Sequence, residues 1–186
     1  MNEIAVNYWN EVAKDPDVKS KYICDSIFKD EDFIEAIKLV NNNWGNVLEI
    51  GCGIGRLIVP LADKHKQCNF YGFDISENMI AQAPKRKNID YTTKGRNLDL
   101  VYSILVFQHM SPDDKIKNIN LAAKLLKSQG VFYFQFVIGK DNDGVANYQT
   151  SVDTMTNACL LAGFKIDSIE QGLMHSQWCF IKATKI

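Results

Sequence analysis

The stretch Val47-Leu-Glu-Ile-Gly-Cys-Gly-Ile-Gly-Arg-Leu57 decides how this chain is read. A short apolar-rich run, the mark of a buried strand, leads into Gly51, Gly53 and Gly55, and an amphipathic stretch opens behind them. Glycines at a strand end allow a tight turn and let a ligand press against bare backbone. Farther on, Phe70-Tyr-Gly-Phe-Asp74 reads as a second strand ending in a carboxylate. That acid falls about 20 residues after the turn, where it can accept both hydroxyls of a ribose. Either feature alone says little; together they place a nucleoside-type ligand at the carboxyl ends of the strands.

The spacing of the glycines narrows the ligand. Dinucleotide binding wants G-x-G-x-x-G, but counting from Gly51 gives Arg56 at the last position and counting from Gly53 gives Ile58. The G-x-x-x-x-G-K of a phosphate loop is absent as well. What stands there is E-x-G-x-G-x-G, with Glu49 inside the strand end. A carboxylate beside the turn repels a pyrophosphate and suits a ligand carrying an ammonium group.

Outward from this segment the chain alternates strand and helix. The pattern predicts strands at Val47–Ile50, Asn69–Asp74, Ile89–Thr92, Leu98–Ile104, Val131–Val137, Phe164–Glu170 and Gln177–Ala183. Helices are expected at Gly55–His65, from Ser76, at Pro112–Lys127 and at Ser151–Ala162. Before Val47 the sequence reads as helices, with Phe33, Ile37 and Val40 on one face of Asp30–Asn42. Repeated strand–helix alternation implies a parallel sheet with helices on both faces. The last two strands are separated only by a turn signal at Gln171-Gly172, so they form a hairpin and the final strand runs antiparallel.

Glu49–Gly55, Gly72-Phe-Asp74-Ile-Ser76, Leu98-Asp-Leu-Val-Tyr-Ser103 and Leu126-Lys-Ser-Gln-Gly130-Val-Phe together resemble the class I S-adenosylmethionine-dependent methyltransferases. The likeness runs from about Val47 to the C-terminus and is closest to the small-molecule branch, whose N-terminal helices often carry a pair like Tyr8-Trp9. The resemblance implies an α/β, Rossmann-like, doubly wound sheet of about seven strands, the last antiparallel, preceded by N-terminal helices. It implies S-adenosylmethionine as cofactor and methyl transfer to an oxygen, nitrogen or sulfur of a small molecule. Gly51, Cys52, Gly53 and Gly55 would then approach the methionine part beside Glu49. Asp74 would hold the ribose with Ile75 adjacent, Met79 would lie near the adenosine, and Ser103 would complete the cofactor shell. Tyr8, Gln108 and His109 would line the acceptor side; His109 suits a general base, but a histidine that only shapes the loop through backbone bonds is the preferred reading, and no catalytic residue is assigned. Such families place an acidic residue after strand 3 against the adenine amino group. Here Tyr91-Thr-Thr-Lys-Gly-Arg-Asn97 leads almost directly into strand 4, so a neutral acceptor is expected instead.

Other features set bounds. The 186 residues suit one domain, read as a helical cap over 1–45 and a core over 46–186. A net charge of −1 offers no electrostatic reason to expect nucleic acid or an anionic membrane as partner. The Asn/Asp-Pro-Pro-aromatic motif of amino-methylating nucleic-acid enzymes is replaced by Ser103-Ile-Leu-Val-Phe107, and no cysteine lies there to serve as a carbon-5 nucleophile. Cys24, Cys52, Cys68, Cys159 and Cys179 are odd in number and widely spaced, which argues against a disulfide framework or zinc site and for a reducing, cytoplasmic setting. The N-terminal sequence lacks the layout of a signal peptide, and no apolar run approaches the roughly 20 residues that span a bilayer. Asp113 and Asp114 read as the acidic first turn of a helix capped by Ser111, not as metal ligands. Trp44 and Trp178 read as packing residues. A second reading of the whole chain is a binding or interaction module that keeps the fold and the cofactor site but has lost catalysis, since the strand 3–4 loop is short and no substrate-binding insertion follows strand 5.

Overall fold

The computed structural model describes residues 3–17, 30–40, 45–139 and 148–186. Helices α1 (Glu3–Val12) and α2 (Asp30–Val40) precede β1 (Asn46–Ile50), α3 (Ile58–Lys64), β2 (Asn69–Phe73), α4 (Glu77–Gln82) and β3 (Ile89–Asp90). Then come β4 (Leu98–Ser103), a single 3₁₀ turn (Phe107–His109), α5 (Pro112–Leu125), β5 (Leu126–Val137), α6 (Val152–Leu161), β6 (Phe164–Gln171) and β7 (Trp178–Lys185). The strands form one seven-stranded sheet in the order β3-β2-β1-β4-β5-β7-β6. β7 lies antiparallel between β5 and β6, as the hairpin argument requires, and the other pairs are parallel.

Alternation along the strands feeds two cores. On one face Val47, Leu100, Tyr102, Val131 and Tyr133 join Phe33, Ile34 and Ile37 of α2 and Ile58 and Leu61 of α3. On the other face Leu48, Ile50, Val101, Phe132, Phe134 and Phe136 meet Ile119 and Ala122 of α5 and Met155 and Cys159 of α6. Trp178 packs beside Phe33, ring centroids 5.9 Å apart, in the first of these cores. Trp44 and Cys24 lie outside the described residues. The described cysteines, Cys52, Cys68, Cys159 and Cys179, are buried. Among the described residues no helix is long and apolar enough to cross a membrane.

Several boundaries differ from the sequence expectation, each for a local reason. The helix expected from Gly55 starts at Ile58, because Gly55 has φ +83° and Pro60 lacks an N–H, which fits only a first turn. β3 stops at Asp90, not Thr92: the Asp90 carboxylate accepts from the Thr92 N–H and from the hydroxyls of Thr92 and Thr93, turning the chain out of the sheet. An acid therefore does end the third strand. β5 begins at Leu126, five residues early, through an irregularity opposite Leu98–Leu100 in which Gln129 takes φ +64°. Ser111 and Ser151 cap α5 and α6, accepting from the N–H groups of Asp114 and Thr154.

Candidate functional site

A cavity of about 180 Å³ opens at the carboxyl ends of β1, β2 and β4. Its first wall is the turn after β1. The Gly51 and Cys52 N–H groups both donate to the Phe73 carbonyl, at 2.7 and 3.1 Å, lashing the ends of β1 and β2 together. The turn needs glycine: Gly51 and Gly53 take φ values of +78° and +49°, where a side chain is strained. A Cβ on Gly51 would come within 2.3 Å of the Val106 side chain, whereas one on Gly53 would meet nothing closer than Asp74 Oδ2 at 4.0 Å. Gly53 thus presents bare backbone to open space.

Two carboxylates flank this turn. Asp74 accepts from the Gly53 N–H at 2.8 Å through Oδ2 and from the Ser76 N–H at 2.9 Å through Oδ1. Burial raises its pKa against the pull of these bonds and of one from Ile75. Each carboxylate oxygen has two acceptor sites, so Asp74 keeps capacity for further donors. Glu49, buried at the end of β1, accepts from the Tyr102 hydroxyl at 3.0 Å. Burial pushes its pKa up to about 8; Tyr102, Arg56 and the Ile58 N–H pull it down, and Asp74 pushes it up. Arg56, next after the glycine turn, lines the cavity together with Glu49.

The opposite wall is Ile104, Leu105, Val106, His109 and Met110, with Trp9 and Asn118. Leu105 is held at φ +62° by a bond from its N–H to Oε1 of the buried Gln135, 3.0 Å away, and this left-handed residue turns the chain across the sheet end. The His109 ring stands edge-on to Trp9, centroids 5.1 Å apart. Trp9 reaches the cavity because α1 lies over the glycine turn. Val12 and Ala13 cluster with Ile54 and Met79, the Asn10 side chain accepts from the Ser76 hydroxyl, and the Ala13 carbonyl accepts from Gln82. Behind this wall the buried Lys115 donates to the Tyr148 carbonyl and to the Thr150 hydroxyl, tying residues 148–150 to α5.

Of the residues expected from sequence, Glu49, Gly51, Cys52, Gly53, Asp74, Ile75, Met79 and His109 line this cavity. Gly55 does not; it closes the turn, donating to the Cys52 carbonyl. Ser103 is buried, with its hydroxyl donating to the Ile50 carbonyl. Gln108 stands behind His109, its Nε2 3.4 Å from the His109 Nε2. Tyr8 is half-exposed and packs edge-on against Trp9, so Trp9 is the member of that pair in the cavity. Arg56 was legible as the first cation after the turn. Leu105, Val106, Met110 and Asn118 carry no sequence signal of their own. Among the described residues no three His, Cys, Asp or Glu side chains gather as a metal site would require. Asp114 is engaged by Ser111 and Lys117 at the start of α5.

Comparison with known proteins points the same way as the geometry. Residues 48–132 match the family model of a methyltransferase domain. A Bacillus cereus protein named as an uncharacterized methyltransferase is 29% identical over 133 residues, which cover 67% of this chain and 59% of the relative. The chain thus spans less than two thirds of the length of the curated relatives it matches. Among solved structures, the magnesium protoporphyrin IX methyltransferase of Synechocystis with bound S-adenosylhomocysteine superposes with a TM-score of 0.75 at 18% identity, covering 100% of both chains. The DhpI–S-adenosylhomocysteine complex superposes with a TM-score of 0.75 at 18% identity, covering 97% of this chain and 95% of its own. At these identities the structures speak for the fold.

Proposed function

We propose that this chain is a class I S-adenosylmethionine-dependent methyltransferase that transfers a methyl group from S-adenosylmethionine to an oxygen, nitrogen or sulfur of a small molecule, a reading supported by its match to a methyltransferase-domain model and by its likeness to methyltransferase relatives. The observation that carries this reading is the meeting, in one cavity, of a buried carboxylate, an open glycine turn and a second carboxylate at the next strand end. That set fits the cofactor part by part. Glu49 suits its ammonium group and Arg56 its carboxylate, Gly53 admits the chain between them, and Asp74 takes the ribose hydroxyls. Asp90, at the end of β3, is the acid nearest in sequence to the adenine side, with its carboxylate already bonded to Thr92 and Thr93.

The cofactor supplies a methyl group activated by a sulfonium. The work of the protein in such a displacement is alignment and exclusion of water. Trp9 closes the cavity from above as part of an N-terminal cap over the core. His109, braced between Trp9 and Gln108, faces the acceptor and is placed to take its proton if the acceptor needs a base.

Calorimetry with S-adenosylhomocysteine, followed by a panel of small hydroxyl, amine and thiol acceptors read as S-adenosylhomocysteine release, tests the proposal. Micromolar binding together with turnover on at least one acceptor is the expected result. Tight binding without turnover across a broad panel would favour the non-catalytic module, and no binding at all would remove the cofactor assignment.

A further inference from the structure

β1 and β4 run parallel, and Glu49 faces Tyr102 directly in their register. The two side chains leave the sheet on the same side. Glu49 reaches the cavity; Tyr102, fully buried, does not, and its hydroxyl approaches the carboxylate from behind. A phenol in an apolar core is costly unless its O–H finds a partner. Here that partner is Glu49, one of the two carboxylates that flank the glycine turn. A phenylalanine would fill the same space without the bond.

We propose that Tyr102 is a positioning residue for ligand recognition: its hydroxyl aims and holds the Glu49 carboxylate so that its free acceptor sites face the ammonium group of the amino-acid moiety. The inference rests on the reading that this cavity takes S-adenosylmethionine. The Ile58 N–H at the start of α3 also favours the ionised carboxylate. A carboxylate has about four acceptor sites, so the Tyr102 bond still leaves room for an ammonium. Held by that bond, the carboxylate is restrained from swinging away, and less ordering is left to be done when ligand arrives. Tyr102 does not line the cavity, and its hydroxyl meets the site through Glu49, so its contribution should be confined to ligands that carry the amino acid.

The test is a double-mutant cycle read with two ligands. S-adenosylhomocysteine carries the amino-acid moiety, and 5′-methylthioadenosine has the same nucleoside without it. Tyr102→Phe should weaken S-adenosylhomocysteine about fivefold to twentyfold, the scale of one charge-assisted bond lost behind the contact, and leave 5′-methylthioadenosine within about twofold. In a Glu49→Gln background the same substitution should change S-adenosylhomocysteine affinity by less than about twofold. Retained 5′-methylthioadenosine binding reports that each variant is folded. The pH profile gives an independent readout. Loss of a donor that favours ionised Glu49 should move the midpoint for S-adenosylhomocysteine upward, with Arg56, Asp74, Cys52 and Tyr91 unchanged around it. Equal losses for the two ligands, a full loss persisting in Glu49→Gln, or an unmoved midpoint would overturn the proposal. A wild-type chain that binds neither ligand would overturn the cofactor reading itself, a different result from a wild type that binds both and a Tyr102→Phe variant that matches it.

Discussion

The two walls of the cavity are made differently. The Glu49–Arg56 wall, with Asp74, is polar and backbone-rich, and it comes from two strand ends joined by hydrogen bonds between neighbouring strands. The Ile104–Met110 wall is mostly apolar and is completed by Trp9 from the far N-terminal end of the chain and Asn118 from α5. The first offers fixed charges and bare amides, which suit one ligand of constant chemistry. The second offers shape, which can differ from protein to protein on the same frame. They meet where Val106 packs against the backbone of Gly51 and where Trp9 packs against the Ile54–Met79 cluster. The difference teaches that affinity for the cofactor and choice of acceptor should be separable by mutation.

The hardest blow to the first wall is Gly53→Val. The side chain would stand in the open space before the turn, on a residue at φ +49°, so S-adenosylhomocysteine affinity should fall more than about a hundredfold. The left-handed strain costs about 1–2 kcal/mol of stability and leaves the fold standing. Calorimetry alongside thermal melting checks both, and a variant that binds normally would mean the ligand does not lie against this turn. Asp74→Ala comes next. It removes charge-assisted bonds to the ribose, worth about 1.5–3 kcal/mol, so affinity should drop roughly tenfold to a hundredfold. Unchanged affinity would sink the ribose assignment.

Acidity probes the same wall without a mutation. Glu49 has a pKa of about 8, above its usual 4.5, so near neutrality it is largely protonated in the free protein. An ammonium ligand needs the ionised form. Affinity for S-adenosylhomocysteine should therefore rise by up to about tenfold per pH unit toward 8 and then level, with proton release on binding at pH 7. Glu49→Gln should flatten the profile. The sign for folding is opposite. The folded chain keeps this proton between pH 4.5 and about 8 while the unfolded chain gives it up, so the stability contributed by the neutral form is lost as pH rises through that window. A binding profile that is flat in the wild type would show that Glu49 does not meet a cation.

The second wall should answer differently. His109→Ala should change S-adenosylhomocysteine affinity by less than about threefold and slow turnover by less than about tenfold, because alignment contributes more than a base in such a displacement. Single-turnover rates over a pH series would check this. A loss of a hundredfold or more would make His109 the base and give the acceptor wall a chemical task beyond shape. The smallest effect is expected from EDTA, which should leave activity unchanged; loss restored by magnesium would show that Asp113 and Asp114 do more than begin a helix.

Much of this molecule was legible before its structure, for reasons that are local. Strand alternation is a period of two, the glycine turn is contiguous, and Asp74 ends the very next strand, so sequence distance stood in for spatial distance. The reversed β7 followed from the want of a helix between the last two strands. Where the reading slipped, short-range chemistry had been underweighted. Pro60 delays α3, and Asp90 turns the chain with Thr92 and Thr93, putting an acid at the end of β3 where none had been placed. The second wall could not be read in advance. That Trp9 and not Tyr8 enters the cavity depends on how α1 docks on Ile54 and Met79. That His109 faces inward while Gln108 stands behind it depends on Leu105 taking a left-handed turn braced by Gln135, thirty residues away. That Ser103 bonds Ile50, and Tyr102 bonds Glu49, depends on the register of β4 against β1. The sequence by itself determined the sheet, the glycine turn and the carboxylates beside it, because those follow from neighbours along the chain. Only the tertiary structure decided which side chains close the other end, because that depends on packing between segments that no local pattern brings together.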